Sequence, residues 1–361
     1  MSRSVVLSTL MLLPLAASPA GPPADALPDA RRGAGGVGAP AATGTADTLP
    51  RPPADHHVHV SSRDALDALL QIQEAVDQQV IDPEKARPRD ADDVIATLDS
   101  AGVRRGVLLS TAYMFGVPDV DFENERARVR AENDYVADQV RRRPDRLVGF
   151  CSVNPLADYA LEEIDRCAGI PQLTGLKLHL ANSDVSLRDS ADLERLAAVF
   201  ERADRHGLPI VIHLQNRAGD YGRRDVENFL ERVLPAAPDV PVQVAHLGGN
   251  GGYGEDNAAA VEVFAEALRQ RPDRTANLFF DLAASPIPVH RARGDSALLE
   301  QVRTINRMAA EGVRALGPDR IVYGSDWPAA SGRYLEGIRA SLPLPDSILA
   351  DLLDDPAPYL R

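Results

Sequence analysis

Eight short apolar runs, separated by longer stretches of helical periodicity, constrain the fold of this 361-residue chain more than any other feature. Each run is rich in Val, Ile and Leu, as buried parallel strands are. The runs are Ala54–Val60, Val103–Thr111, Leu147–Val153, Leu173–Leu180, Leu208–Leu214, Val240–Leu247, Ala276–Ala283 and Arg320–Ser325. Strands that alternate with helices are typical of repeated βα units. The pattern predicts an α/β fold, a (β/α)8 TIM barrel with a single catalytic domain, and an open doubly wound sheet is the alternative.

Helical periodicity occupies the intervals between the predicted strands. The predicted helices are Ala91–Ala101, Asp121–Arg143, Tyr159–Ala168, Ser190–His206, Asp225–Leu234, Asp256–Arg271 and Ser296–Leu316. Three helices are followed by a glycine just before the next strand, at Gly102, Gly207 and Gly317, where a left-handed cap is expected. The segment Arg63–Arg87 is an additional helical insertion after the first strand. In a barrel this insertion would lie over the mouth.

The amino-terminal region differs in composition from the rest of the chain. Met1–Ala20 combines a short polar start, an apolar run and small residues spaced for cleavage, so it is predicted to be a signal peptide, with an uncleaved anchor as the alternative. Residues 21–53 are rich in Ala, Gly and Pro and are predicted to be a disordered linker. The catalytic domain would then span residues 54–361. The protein is expected to be exported, either to the periplasm or as a secreted protein.

The charge balance and the cysteine count narrow the classes of partner and site. A formal net charge of −14 and a pI near 5.0 argue against nucleic acid and anionic membranes as partners, because both bind clustered positive charge. A small-molecule substrate is the expected partner, and a homo-oligomer is an open alternative to a monomer. Cys151 and Cys167 either form a disulfide or remain as two buried thiols. Two cysteines exclude a structural four-cysteine zinc site.

Histidines cluster where the predicted strands end. In a barrel, these carboxyl ends form a single rim. The residues at this rim are His57, His59, His179, His213, His246 and Asp326. His57 and His59 are two residues apart in a strand and therefore project to the same face. Burying several imidazoles and a carboxylate around one mouth is costly unless an ion satisfies them, so the pattern predicts a divalent metal, Zn²⁺ by its ligand types, with Mn²⁺ or Fe²⁺ as alternatives.

The same residues resemble a known family. The quoted motifs are D-x-H-x-H at Asp55, His57 and His59, GLKLH with Lys177, His213, HLGG with His246, and GSDWP with Asp326. The order of these motifs along the chain is similar to that in the amidohydrolase superfamily. The residues within the motifs most resemble those of its amidohydrolase-related branch, which contains decarboxylases and lactonases. The resemblance implies that one metal ion is held by His57, His59, His213 and Asp326. It also implies that His246 polarises the substrate or serves a second metal.

Lys177 is one of only two lysines among 39 basic residues. In two-metal members of the superfamily the corresponding lysine is carboxylated and bridges the metals, a reaction open to an amine and closed to a guanidinium. The decarboxylase-like branch implies one metal, with Lys177 as an unmodified cation that faces the substrate. A packed lysine whose amine pairs with a carboxylate is a third interpretation. His179 is expected to touch the metal, hold the substrate or orient Lys177.

The ligand set predicts a metal-dependent hydrolase that acts on a lactone, ester or amide. A zinc ion with an open position lowers the pKa of water to about 7. Asp326 would accept the proton of that water, and His246 would hydrogen-bond the developing oxyanion. A non-oxidative decarboxylase of a small unsaturated or aromatic carboxylic acid is the alternative chemistry at the same residues. A non-catalytic ligand-binding barrel is the alternative of another class.

Several further residues are weaker candidates. Arg217 and Arg291 follow strands five and seven, where a guanidinium would clamp a substrate carboxylate. Tyr253 lies on a glycine-rich rim loop, and Trp327 lies beside the predicted ligand Asp326. Asp281 ends strand seven and is expected to support a ligand or to cap a turn.

Overall fold

The computed structural model describes residues 49–78, 81–292, 294–328, 334–354 and 357–360. The predicted signal peptide, residues 1–20, and residues 21–48 of the predicted linker lie outside the described residues. The end of the predicted linker contacts the barrel, because the Arg51 guanidinium donates to the Ala101 carbonyl at 2.7 Å. The Pro53 carbonyl also accepts from the Arg105 amide at 3.2 Å.

Eight parallel strands form one sheet in sequential order. They are β1 (Ala54–His59), β2 (Arg105–Leu109), β3 (Leu147–Ser152), β4 (Leu173–His179), β5 (Ile210–His213), β6 (Val242–Val244), β7 (Leu278–Asp281) and β8 (Ile321–Val322). Residues after β8 bond back to β1: the His56 amide donates to the Tyr323 carbonyl at 2.9 Å, and the His59 amide to the Trp327 carbonyl at 2.7 Å. The predicted (β/α)8 barrel is confirmed, and the doubly wound sheet, whose strand order reverses, is excluded.

The strands that carry the rim residues end earlier than the apolar runs predict. β6 stops at Val244, and the following His246 and Leu247 have φ values of 55° and 52°. β8 stops at Val322, and Asp326 has φ of 62°. A left-handed backbone is unfavourable for residues with a Cβ and persists only where the surrounding structure holds it. The chain therefore leaves strand geometry at two of the predicted site residues.

Helices surround the barrel in the predicted order. In the described residues they are α1 (Arg63–Ala75), α2 (Ala91–Ala101), α3 (Glu125–Arg142), α4 (Ala160–Ala168), α5 (Ser190–Arg205), α6 (Arg223–Asn228), α7 (Glu255–Gln270), α8 (Ser296–Leu316), α9 (Tyr334–Ser341) and α10 (Asp346–Asp354). α2 and α8 have the predicted bounds, α6 continues into a π-helical turn over Phe229–Val233, and α9 and α10 were not predicted. Gly102, Gly207 and Gly317 all have positive φ, as expected for residues that follow a helix.

The insertion after β1 is helical only in its first part. α1 ends at Ala75, and Lys85 lies in a turn in which its amide donates to the Asp82 carbonyl at 3.0 Å. Leu66 and Leu69 of α1 and Ile81 after it line the cavity at the mouth of the barrel. The insertion therefore forms one wall of that cavity, in the position expected of it.

A 3₁₀ turn, Pro358–Leu360, covers the opposite end of the barrel. Arg105, the first residue of β2, donates to the Leu360 carbonyl at 3.3 Å, which places the turn at the amino ends of the strands. Tyr359 and Leu360 pack against an interior cluster of Val107, Leu109, Phe150 and Val211. This turn thus reaches into the barrel from the side away from the rim.

Cys151 and Cys167 are buried and free, so the two-thiol alternative describes the structure and the disulfide does not. Across the described ranges, none of the helices combines the length and apolar character needed to span a bilayer.

Candidate metal centre

The first strand brings two imidazoles to one point. His57 and His59 project to the same side of β1, and their Nε2 atoms are 3.2 Å apart. Asp326 Oδ1 lies 3.4 Å from His57 Nε2 and 3.5 Å from His59 Nε2. Three of the four predicted metal ligands therefore converge, although they come from opposite ends of the folded chain.

The other ring nitrogens of these imidazoles fix their tautomers. His57 Nδ1 donates to Asp281 Oδ2 at 3.0 Å, and His59 Nδ1 donates to the Leu109 carbonyl at 3.0 Å. Both protons lie on Nδ1, so both Nε2 atoms present lone pairs to each other and to the Asp326 carboxylate. These three groups repel one another unless a cation lies between them. Ligand atoms about 2.1 Å from one ion are about 3.0–3.4 Å apart. The observed distances of 3.2, 3.4 and 3.5 Å lie within or close to this range, so this donor set fits a divalent metal.

Electrostatics favour the protonation states that a metal site requires. Burial, together with the nearby charge of Lys177, lowers the pKa of His57 to about 3, so this imidazole is neutral at neutral pH. Burial acts to raise the pKa of Asp326, but the adjacent imidazoles of His59, His57 and His246 outweigh burial and hold that pKa below its usual value. Asp326 is therefore an ionised carboxylate. The backbone amide of Asp326 donates to the His57 carbonyl at 2.9 Å, and this hydrogen bond fixes the turn that contains Asp326.

His213, the fourth predicted ligand, lies at the same mouth beside this group. Its Nε2 is buried and has no hydrogen-bond partner within the described part of the chain, which is unfavourable for a polar nitrogen and suits a ligand that receives an ion or a substrate. The His213 ring stacks on His179, with centroids 3.9 Å apart and planes 8° apart, and it is 5.0 Å from the His246 ring. Among the residues that the structure describes, two groups have ligand atoms within 4.8 Å of one another: His57, His59 and Asp326, and His57, His246 and Asp281. His213 belongs to neither group.

Asp281 connects the strand-one ligand to His246. Its Oδ1 accepts from the His246 amide at 2.8 Å and from the Ala283 amide at 3.0 Å. Its Oδ2 accepts from His57 Nδ1 and from Gln243 Nε2, the latter at 2.7 Å. Burial acts to raise the pKa of Asp281, but His57 outweighs it and the pKa is lowered, so this carboxylate is ionised. Asp281 therefore orients His57, a predicted ligand.

His246 faces the cavity with an acceptor nitrogen. Its Nδ1 donates to the Ala283 carbonyl at 2.7 Å, which leaves the Nε2 lone pair free. The ring centroid is 4.9 Å from that of His57. The predicted role of His246 as a donor to an oxyanion would use Nε2, whereas with its proton on Nδ1 this ring offers an acceptor at that atom.

Lys177 places a buried amine in the same cavity. Only 1% of its surface is exposed, and no hydrogen bond or ion pair to Nζ is present among the described residues. Burial lowers its pKa to about 8, while Asp281 and Asp326 act against that shift. The side chain is therefore mostly a cation at neutral pH. Beside it, His179 Nδ1 accepts from the Asn182 amide at 3.3 Å, and burial lowers the pKa of His179 well below its usual value.

The cavity in front of these residues has a volume of about 420 Å³. One wall is apolar, from the insertion and the turn after β2, and its members are Leu66, Leu69, Ile81, Tyr113 and Met114. Arg89 and Lys177 also line the cavity. The Arg89 guanidinium lies 5.7 Å from the Trp327 ring centroid, and burial lowers its pKa. The site thus combines an apolar surface with four basic side chains, of which Lys85 and Arg87 are paired with Asp82 and Asp93.

The four weaker substrate candidates have different positions. Arg217 is 3.1 Å (Nη1) and 2.5 Å (Nη2) from the two carboxylate oxygens of Asp119, and its Nε donates to the Ala181 carbonyl. Tyr253 is buried with its hydroxyl against Gly312 of α8. Trp327 is buried beneath Arg89, and the side chain of Arg291 lies outside the described residues. Arg217 and Tyr253 are therefore occupied in holding loops and helices together.

Sequence reasoning missed two polar residues that belong to this site. Gln243 interrupts an apolar strand, a signal that was available in the sequence. Arg89 follows the insertion and carries no local pattern that distinguishes it from the other arginines.

The fold and the site define the class of protein. A (β/α)8 barrel whose rim presents two imidazole nitrogens and a carboxylate to one point is typical of metal-dependent barrel enzymes. The family model described as amidohydrolase matches residues 54–356. The chain belongs to the amidohydrolase family, which confirms the resemblance read from its motifs.

Solved structures share this fold at low identity. The chain is similar to 5-carboxyvanillate decarboxylase from Sphingomonas paucimobilis, with 18% identity, a TM-score of 0.56 and coverage of 84% of this chain and 97% of the other. It is similar to a variant of 5-carboxyvanillate decarboxylase from Novosphingobium aromaticivorans with bound manganese, with 13% identity, a TM-score of 0.51 and coverage of 84% and 95%. It is also similar to a protein described as a 2-pyrone-4,6-dicarboxylic acid hydrolase from Pseudomonas putida, with 18% identity, a TM-score of 0.53 and coverage of 84% and 95%. The search of curated proteins gave no match.

Proposed function

We propose that the protein is a metal-dependent hydrolase that acts on a lactone, ester or amide bond of a small carboxylic acid. The observation that carries this proposal is the ionised Asp326 carboxylate, which lies within 3.5 Å of both strand-one Nε2 atoms. A divalent ion held by this donor set would polarise a carbonyl group and increase the acidity of water. Zn²⁺ and Mn²⁺ both suit two imidazoles and a carboxylate.

Two proton acceptors lie on the rim. Asp326 has a lowered pKa, so at neutral pH it can accept a proton from the attacking water and return it to the leaving group. His246 offers a second acceptor, because its Nδ1 proton is committed to Ala283. Hydrolysis begins with the removal of a proton, which is the step these two groups support.

The cavity supports a small anionic substrate. A volume of about 420 Å³ accommodates a single-ring molecule. Lys177 and Arg89 would bind carboxylate groups, and the apolar wall would contact a ring or an unsaturated chain. A substrate with a carboxylate at one end and a hydrolysable bond beside Asp326 satisfies both sets of contacts.

A non-oxidative decarboxylase of an unsaturated or aromatic carboxylic acid is the second candidate. It is favoured by the buried Lys177 amine, which would hold the reacting carboxylate against the metal ligands. In that reaction the carbon–carbon bond breaks, carbon dioxide leaves, and a proton takes its place on carbon. Asp326 would first have to gain a proton in order to supply it to that carbon.

Product analysis separates the two reactions. Metal-loaded protein would be incubated in water enriched in heavy oxygen with lactones, esters, amides and aromatic carboxylic acids. Hydrolysis places heavy oxygen in a product carboxyl group and releases no carbon dioxide. Carbon dioxide formed in step with substrate loss would overturn the hydrolase in favour of the decarboxylase. Metal-loaded protein that binds these acids and transforms none of them would be a non-catalytic ligand-binding barrel.

One metal ion per chain is proposed, with Lys177 as an unmodified cation. The support is the three-ligand group of His57, His59 and Asp326 and the cavity-facing amine. Elemental analysis together with intact mass tests this. Two ions per chain and added mass equal to one carbon dioxide would instead indicate a carboxylated, bridging Lys177.

Export to the periplasm or the medium is also proposed, from the composition of Met1–Ala20. Cell fractionation and amino-terminal sequencing of the mature protein test it. An intact amino terminus in the cytoplasmic fraction would contradict it.

A further inference from the structure

A continuous chain of hydrogen bonds crosses the interior of the barrel from its amino end to the metal centre. The Tyr359 hydroxyl donates to Gln243 Oε1 at 2.6 Å. Gln243 Nε2 donates to Asp281 Oδ2 at 2.7 Å, and His57 Nδ1 donates to the same oxygen at 3.0 Å. The chain links the 3₁₀ turn Pro358–Leu360 to a predicted metal ligand at the opposite end of the strands.

Each bond in this chain fixes the orientation of the next group. The Asp281 carboxylate is acceptor-only, so the amide of Gln243 must present its nitrogen to it. The amide oxygen then faces Tyr359 and accepts its hydroxyl proton. On the other side, His57 must carry its proton on Nδ1, which leaves the Nε2 lone pair for an ion.

The inner part of this hydrogen-bond chain has no competing solvent, whereas Tyr359 is half-buried. Gln243 and Asp281 are both 0% exposed, so an amide that lost one partner could not replace it with bulk water. Asp281 Oδ2 has two donors, and removal of the Gln243 donor would leave His57 as the remaining one. The position of the carboxylate, and with it that of the imidazole, therefore depends on Gln243.

Contacts other than its hydroxyl hold Tyr359 in place. Its ring lies 5.3 Å from Phe150 and 5.9 Å from His56, between centroids. The neighbouring Ala357 amide donates to His56 Nε2 at 3.0 Å. Removing the hydroxyl alone should therefore leave the turn in place and interrupt only the hydrogen-bond chain.

We propose that Tyr359 and Gln243 are positioning residues for the metal ligand His57, so that the turn at the amino end of the barrel sets metal affinity at the rim. This inference rests on the metal centre of the proposed function. It adds Tyr359 and Gln243, which touch neither metal nor substrate, to the residues that determine metal binding.

The proposal is tested by measuring the metal affinity of the full-length protein and of its variants. The metal-free wild-type protein, Tyr359→Phe, Gln243→Met and the double variant would be titrated with Mn²⁺ against a competing chelator. Outer partners of ligands typically change affinity by about 10–100-fold, so we expect about 10-fold weaker binding for Gln243→Met and about three-fold for Tyr359→Phe, which is one bond further away. The double variant should bind no more weakly than Gln243→Met, because the hydroxyl acts through the amide.

Tyr159→Phe is the matched control. It also removes a tyrosine hydroxyl bond, to the Glu125 carboxylate on the outside of the barrel, and should leave the Mn²⁺ Kd unchanged. A Tyr359→Phe protein with wild-type Kd, or a double variant whose loss is the product of the two single losses, would overturn the proposal. If Gln243→Met does not fold, the Mn²⁺ Kd of Tyr359→Phe alone decides the test. Because the readout is binding, an absence of hydrolysis would refute the proposed function and leave the positioning result intact.

Discussion

Replacing Asp281 by asparagine changes one buried acceptor oxygen into an NH2 group. The oxygen that remains can still accept from the His246 and Ala283 amides. The new NH2 would face Gln243 Nε2 and His57 Nδ1, both of which are donors. The clash with His57 is relieved when that ring moves its proton to Nε2, which removes the lone pair that faces His59 and Asp326.

The size of the effect follows from these contacts. Two hydrogen bonds to a charged acceptor are lost, each worth about 1.5–3 kcal/mol, and the removal of a buried charge offsets part of that loss. We expect the free energy of unfolding to fall by about 2–4 kcal/mol. Metal affinity should fall by about 100-fold, because the change forces the wrong tautomer on a ligand.

The assay is Mn²⁺ titration of the metal-free variant, with urea unfolding to measure stability. Asp225→Asn is the matched control, since Asp225 is also 0% exposed, accepts from Arg188, Asn216 and the Gly222 amide, and is not among the described residues that line the cavity. The control should lose stability and keep its metal affinity. An Asp281→Asn protein that binds Mn²⁺ within about two-fold of wild type would refute the tautomer argument.

Three further changes test the remaining assignments. Burial lowers the pKa of Lys177 from 10.5 to about 8, so between these values the unfolded lysine keeps a proton that the folded one has lost, and the free energy of unfolding of the metal-free protein should rise across that window. Lys177→Met should remove this rise, as measured by urea unfolding at both ends of the window. Arg89→Gln should raise KM by about 10-fold for carboxylate substrates with little change in kcat, whereas an equal effect on uncharged substrates would show that Arg89 does not bind the anion. Arg217→Gln should lower the unfolding free energy by about 1–3 kcal/mol through loss of its pair with Asp119 and leave kcat/KM within about two-fold, and a large loss of activity would restore a substrate role for Arg217.

The barrel and the convergence of His57, His59 and Asp326 could be predicted because their signals are local. Apolar runs of strand length mark each β-strand, and strand alternation places His57 and His59 on one face whatever the neighbouring residues are. Asp326 could be placed at the rim because it follows the eighth run directly. Its left-handed backbone could not be predicted, since that conformation is imposed by the hydrogen bond to His57.

The hydrogen bonds that link Tyr359, Gln243 and Asp281 could not be predicted from the sequence, because they depend on the folded barrel. Tyr359 and Gln243 are 116 residues apart, and only the closed barrel brings the hydroxyl to the amide. Similarly, Arg217 follows a strand end, where a substrate clamp is plausible from position alone. Its partner Asp119 lies on another loop, and the chemistry of arginine does not distinguish a carboxylate of the protein from one of a ligand.

The metal centre itself is tested most directly by anomalous X-ray scattering from crystals of the full chain soaked in Mn²⁺. We expect one strong anomalous peak about 2.0–2.3 Å from His57 Nε2, His59 Nε2 and Asp326 Oδ1 together. Saturating Mn²⁺ with no peak at that point, or with a peak bound to other residues only, would contradict the account.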